Sequence, residues 1–219
     1  MEKAMKRDKS ALPKRDQIEA IIRRYNCPKP YHSVRAFLLG NVASPALTVS
    51  PIKAVEQLWG GELPIFEKEK DAEEFFQVLL GGLWNRMSQH QDRKSPFHLI
   101  KIETTPTRES LLSFARIRQE EIDSFIDGFF GSSDQVDIPE SASGALERLG
   151  ESRGMFAATA SLAKDASIAA PLNQIELTIK LLSRTTLIAE NEINAIILSC
   201  KKARAHFIET SQTKKPTFH

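Results

Sequence analysis

The chain has 219 residues, 41% hydrophobic and 26% charged, with a formal net charge of +2, enough for one compact domain or two closely packed helical halves. The charge is uneven: residues 1–26 carry net +4, residues 27–94 are neutral, residues 95–170 carry net −5 and residues 171–219 carry net +3. Cys27 and Cys200 are the only cysteines, which excludes a disulfide framework and any CxxC metal or redox pair, and leaves two reduced thiols that pack as small apolar groups.

Helical periodicity recurs along the chain and strand-like alternation is nearly absent. Ile18, Ile21, Ile22 and Tyr25 share one face of a first helix, interrupted by Asn26, Pro28 and Pro30. Val34, Phe37, Leu38 and Asn41 predict a second, capped by Ser33 and stopped before Pro45. Ser50-Pro51 starts a third, because the serine oxygen accepts from an orphan amide while proline at the first helical position lacks a donor that would go unsatisfied. That helix carries Ile52, Val55, Leu58 and Trp59 and stops at Gly60-Gly61, where left-handed backbone costs little. A fourth is predicted over 71–90, with Phe75, Phe76, Leu79, Leu80, Leu83 and Met87 on its buried side. Gly81 and Gly82 inside it predict close approach by another helix. Trp59 and Trp84, each on an apolar stripe, are predicted to be mostly buried.

Residues 94–106 read as a connector, extended over 97–102. Thr107 caps a fifth helix through Leu111, Phe114, Ile122, Phe125 and Phe129 toward Gly131. Pro139 begins a sixth that ends between Gly150 and Gly154, and 155–162 is a separate alanine-rich helical segment. From Leu172 to Lys215 there is neither glycine nor proline. Ile175, Ile179, Leu182, Thr186, Ala189, Ile193, Ile196, Cys200, Ala203 and Phe207 follow there at alternating spacings of four and three, a heptad seam that fits a bundle core or a dimer interface. Two helices with a break near Thr185 are expected, one long helix being the alternative. Residues 1–12 read as a mobile basic tail, 13–210 as the folded domain and 211–219 as a flexible tail.

The succession Ser44-Pro45, Ser50-Pro51, Trp59-Gly60-Gly61, Pro64, Phe66 and Trp84-Asn85 resembles the first half of the YecA/YgfB-like family. Phe125-Ile126-Asp127-Gly128 resembles that family's later glycine-ended helix, with Ser124 where the family has its first glycine and Arg35-Ala36 where members often have Asp-Gly. The likeness covers residues 16–208 and implies an all-α fold, a single compact bundle-like domain of about seven or eight helices. Some members end in a cysteine-rich zinc motif; no cysteine follows Cys200, so no metal site is carried over.

The residues themselves offer little chemistry. His32, His90, His98, His206 and His219 never stand at the i, i+4 spacing that puts two imidazoles on one helix face. The glycines at 144, 150 and 154 are too widely spaced for a phosphate-cradling loop, and there is no GxSxG elbow. Glu73-Glu74 opens a helix, where negative charge offsets the dipole. No catalytic residue, metal ligand or cofactor site is assigned. The expected role is that of a non-catalytic protein-interaction or regulatory protein, working through a protein partner or self-association at a seam of Ile193, Ile196, Cys200, Ala203 and Phe207. The alternative is a nucleic-acid-binding accessory protein using Arg23, Arg24, Lys201, Lys202 and Arg204, should the two basic ends meet. Met1–Pro13 lacks the apolar run of a secretory signal and no segment reaches the ~18 apolar residues of a membrane span, so a cytoplasmic, non-membrane protein is expected.

Overall fold

The computed structural model describes residues 13–46, 50–131, 136–167 and 171–213, with side chains described through residue 210. The tail expected over 1–12 lies outside these residues, as do 214–219 of the tail expected over 211–219, while 211–213 continue the last helix. All regular structure among the described residues is helical, and no strand occurs there.

Helix α1 (Arg15–Arg24) buries Ile18, Ile21 and Ile22, and its first turn is closed by the Lys14 amide donating to Gln17 Oε1 at 2.7 Å. It ends at Asn26, whose φ of 50° breaks the helix two residues before Pro28. Helix α2 (Tyr31–Ala43) starts ahead of the predicted cap, so Ser33 is a buried residue within it and not its first. Helix α3 (Pro51–Leu58) begins as expected, with Ser50 Oγ accepting from the Lys53 amide at 3.4 Å, and ends at Gly60 and Gly61, both at positive φ.

Trp59, just past α3, donates its indole N–H to the Tyr25 carbonyl at 2.7 Å, tying α3 to the end of α1. Its ring, with Tyr25 and Phe66, surrounds Phe75 at centroid separations of 5.1–5.3 Å. Trp59 and Trp84 pack against the core and keep only a minor part of their surface exposed, in line with the expectation that both are mostly buried. Trp59→Phe keeps the ring contacts but orphans the Tyr25 carbonyl. It is expected to cost about 1–2 kcal/mol by urea unfolding, and a wild-type midpoint would show that the bond contributes nothing.

The predicted fourth helix is a rod of three parts: α4 (Glu69–Phe76), a π-helical turn pair (Gln77–Trp84) and α5 (Asn85–Gln89). No second helix seats on its glycines. Pro13, entering α1, lies so close to Gly82 that a Cβ there would overlap its ring, while Gly81 faces the side chain of Gln77 on its own rod. The predicted close approach is therefore met by a proline ring at one glycine only.

Helix α6 (Arg108–Phe130), capped by Thr107 Oγ1 accepting from the Ser110 amide at 3.2 Å, crosses α2 with glycine against backbone on both sides. A Cβ on Gly40 would overlap the Phe125 carbonyl and come within 2.7 Å of the Phe129 amide; one on Gly128 would overlap the Phe37 carbonyl. Helix α7 (Glu140–Lys164) runs unbroken through Gly150 and Gly154, where the sequence predicts an end. Its buried line Ala142, Ala145, Leu149, Ser152, Phe156, Ala160 and Ala163 is continuous, and packing on α6 and α8 outweighs the ~1 kcal/mol that each interior glycine costs. Helix α8 is likewise one helix, Leu172–Thr213, and the break expected near Thr185 does not occur. Thr185 and Thr186 donate to Leu181 and Leu182 carbonyls one turn back, so their hydroxyls enter the core already bonded. Antiparallel register between α7 and α8 is marked by Ser141–Ser199 and the bidentate Arg148–Glu192 pair.

Residues 97–100 form an extended strap whose backbone is held by helix side chains. Asn194 of α8 pairs with both Phe97 amide and carbonyl at 2.8 and 2.9 Å, Arg35 of α2 donates to the His98 carbonyl at 2.9 Å, and Glu190 accepts from the Leu99 amide at 2.9 Å. Glu121 of α6 accepts from the Ile100 amide at 3.0 Å while Arg118 donates to the Ile100 carbonyl at 2.7 Å. Arg118 and Glu121 are themselves a buried ion pair at 2.5 Å, and Arg118 Nε donates to Thr186 Oγ1 at 3.2 Å.

Candidate functional site

Helix α2 stops at Ala43, leaving its last carbonyls without helical partners. Arg204 of α8 supplies the missing donors: Nη1 bonds the carbonyls of Ala43 and Ser44, and Nη2 bonds Gln91 Oε1 at 2.9 Å. A cation at this end also complements the α2 dipole. Burial holds the guanidinium below its ordinary pKa, and burial pushes the neighbouring Cys200 thiol up to about 11.

Two clefts open on either side of this arginine. One, of about 240 Å³, is mainly apolar, walled by Pro45, Ala46, Val136, Ala203 and Phe207, with Asp137 and Arg204 also lining it. The other, of about 350 Å³, is mainly polar, offering Asn41, Ser44, Ser88 and Gln91 beside Pro51 and Trp84. Ala46 and Arg204 belong to both, so the two adjoin as the arms of one groove. Such a groove takes up an apolar side chain on one arm and hydrogen-bonding groups on the other. Among the described residues no group of three or more His, Cys, Asp or Glu could hold a metal ion.

The structure divides the expected seam. Ile193, Ile196 and Cys200 are 0% exposed within the chain's own core, so no partner reaches them in the folded protein. Ala203 and Phe207 lie past that core on the groove wall, and Phe207 is 56% exposed. The expected basic residues are also divided. Lys201 donates to the Gln91 carbonyl at 3.0 Å, bringing it beside Arg204, and Lys202 is exposed on the next position. Arg24, on α1, pairs with Glu74 at 2.7 Å, and Arg23 is exposed next to it. Gln91, Val136 and Asp137 are groove residues the sequence did not single out. Only the fold brings the turn after α5 and the approach to α7 against the end of α8. Neither a protein-family model, nor a curated protein, nor a solved structure matches the chain.

No helix among the described residues is long and apolar enough to cross a membrane.

Proposed function

We propose that this is a non-catalytic, cytoplasmic protein-interaction or regulatory protein of YecA/YgfB-like type, whose groove around Arg204 seats a segment of a protein partner. The observation that carries the reading is the pairing of an apolar and a polar arm about one fixed guanidinium. A peptide presents just such a combination, an apolar side chain next to backbone donors and acceptors. Ser44, Pro45, Pro51 and Trp84, which carry the family resemblance, all line the groove, and the exposed ring of Phe207 marks its rim.

The test is affinity capture from host lysate after nuclease treatment, comparing wild type with Ala203→Trp, which fills the apolar arm, and with Leu187→Asp on an exposed face elsewhere on α8. A discrete protein retained by wild type and Leu187→Asp and lost at least tenfold by Ala203→Trp is the expected result. Identical captures by all three would overturn the groove as the docking site, provided circular dichroism shows each variant folded.

A further inference from the structure

Helices α7 and α8 pair in one fixed register. Ser141 meets Ser199, Arg148 meets Glu192, and Thr185 Oγ1 donates to Met155 Sδ at 4.0 Å, so each step of seven residues up α7 is matched by seven back down α8. Seven residues are about two turns, so these positions keep to one side of each helix, and the next step sets Leu162 beside Thr178. At about 100° per residue, Leu177, Leu181 and Ile188 form one band along α8, the α7-facing residues Thr185, Glu192 and Ser199 follow about 40° round, and the core line through Leu182, Ile193 and Cys200 follows a further quarter turn on. Round α7 the order is the same: Met155, Ala158 and Leu162, then the α8-facing side of Ser141 and Arg148, then the core line through Leu149 and Phe156. Because the helices are antiparallel, this shared order puts both outer bands on one side of the hairpin, opposite the side where Phe156 meets Phe114 and Thr186 meets Arg118 of α6.

Met155, Leu162, Leu177, Leu181 and Ile188 therefore occupy one continuous outer surface, and each is 41–63% exposed. Positions turned away from the core on an amphipathic helix are ordinarily polar. A single exposed leucine calls for no partner. Five large apolar side chains gathered on two adjoining helices leave on the order of 400 Å² of apolar surface, the size at which a monomer's largest patch is often functional.

We infer that this face of the α7–α8 hairpin joins a second copy of the chain about a two-fold axis, so that four helices meet two on two. Area and charge both fit a copy. Pairing the face with itself removes about 800 Å² of apolar surface, and at the roughly 65% apolar content of homodimer interfaces that makes a contact of about 1,200 Å², the lower end of stable, specific interfaces. A two-fold contact also requires a face to complement itself. The outer bands carry one anion, Glu151, and one cation, Arg184, with Lys180 at the rim. A copy therefore meets no large field of its own sign, and a strongly charged partner would find little to answer it. Leu181 precedes Ala203 by 22 residues of the same helix, about 33 Å of rise, so the groove around Arg204 stays open in the dimer and the inference does not rest on that reading.

The experiment is sedimentation velocity of the purified full chain from about 1 to about 300 µM, where the wild type is expected to pass from the mass of one chain toward that of two. The double variant Leu177→Glu, Leu181→Glu changes exposed positions only and sets like charges against each other across the axis; association is expected to weaken at least about 50-fold, with helix content by circular dichroism unchanged. A control with the same charge change on exposed apolar residues elsewhere, Ile52→Glu, Ile65→Glu, is expected to associate within a few-fold of wild type. Equal weakening in the two doubles, or association that continues past two chains, would overturn the inference. So would a wild type that keeps the mass of one chain at every concentration, which would leave the face to a different protein. The wild-type series stands as a test even if the first double variant fails to fold. Since it uses purified protein alone, it fails or succeeds independently of capture at the groove.

Discussion

Gly128→Ala is expected to lower the melting temperature by about 6–12 °C, the equivalent of about 3 kcal/mol for a chain of this size. The added methyl would occupy the space of the Phe37 carbonyl and reach within 3.0 Å of Asn41 Nδ2, and neither can move independently, since both belong to buried α2. Only separation of α2 from α6 relieves the overlap, and that opens the most extensively packed pair of helices in the molecule. Gly40→Ala drives the same wedge from the other side, so the double variant should cost less than the sum of the two single ones. Gly154→Ala is the contrast. Nothing lies within 4 Å of its added Cβ, and helix propensity alone should stabilise the protein by up to about 1 kcal/mol. Melting followed by circular dichroism decides both; a Gly128→Ala protein that melts with wild type would mean that the crossing is looser than described.

Arg118→Met should destabilise the protein by about 3–5 kcal/mol at neutral pH, because it strands the Glu121 carboxylate, which is 0% exposed, and removes the donor to the Ile100 carbonyl. The loss should depend on pH in a defined sense. Burial raises the Glu121 pKa, with Arg118 opposing, so the fold favours the neutral acid more than the unfolded chain does. Stability from that preference is fully present below the unfolded carboxyl's pKa and is lost as pH rises through the higher folded value. Without Arg118 the folded pKa moves up further, and the deficit of the variant should shrink as pH falls from neutrality toward the ordinary glutamate range. Glu121→Gln retains an acceptor for the Ile100 amide and should be the milder change. Urea unfolding of the three proteins across pH gives the comparison, and a small, pH-independent loss in Arg118→Met would contradict the assigned role of the pair.

The helices were legible wherever a cap and an apolar stripe coincide. Ser50-Pro51 and Thr107 start helices as their chemistry requires, and Gly60-Gly61 ends one. The errors arose where tertiary contact overrides local preference. Gly150 and Gly154 read as a stop but sit in a helix held by its opposite face, and Thr185-Thr186 reads as a weak point but satisfies its own hydroxyls. Of the groove, Ala203 and Phe207 were visible as the end of a seam and Arg204 as one of a basic cluster, whereas the change from buried Cys200 to exposed Phe207 depends on where α2 and α5 end. The approach of Pro13 and of α8 to the α5 region rests on contacts such as Arg86 to Pro13 and Lys201 to Gln91, between residues 73 and 110 positions apart, which no periodicity records.

The strap imposes an order on assembly. Helices α6, α7 and α8 follow one another in the chain and can pair through hairpin contacts of modest sequence separation. Residues 97–100, however, find their hydrogen-bonding partners on three different helices, up to 97 positions away. Until α2, α6 and α8 stand in their final relation, Asn194, Glu121 and Arg35 cannot converge on one stretch of backbone, and those main-chain groups remain bonded to water. Docking of the strap is thus expected to come late in folding, governed by long-range loop closure. It also acts as a lock, for once seated it prevents α2 and α8 from drifting apart without exposing a buried charge pair at the same moment.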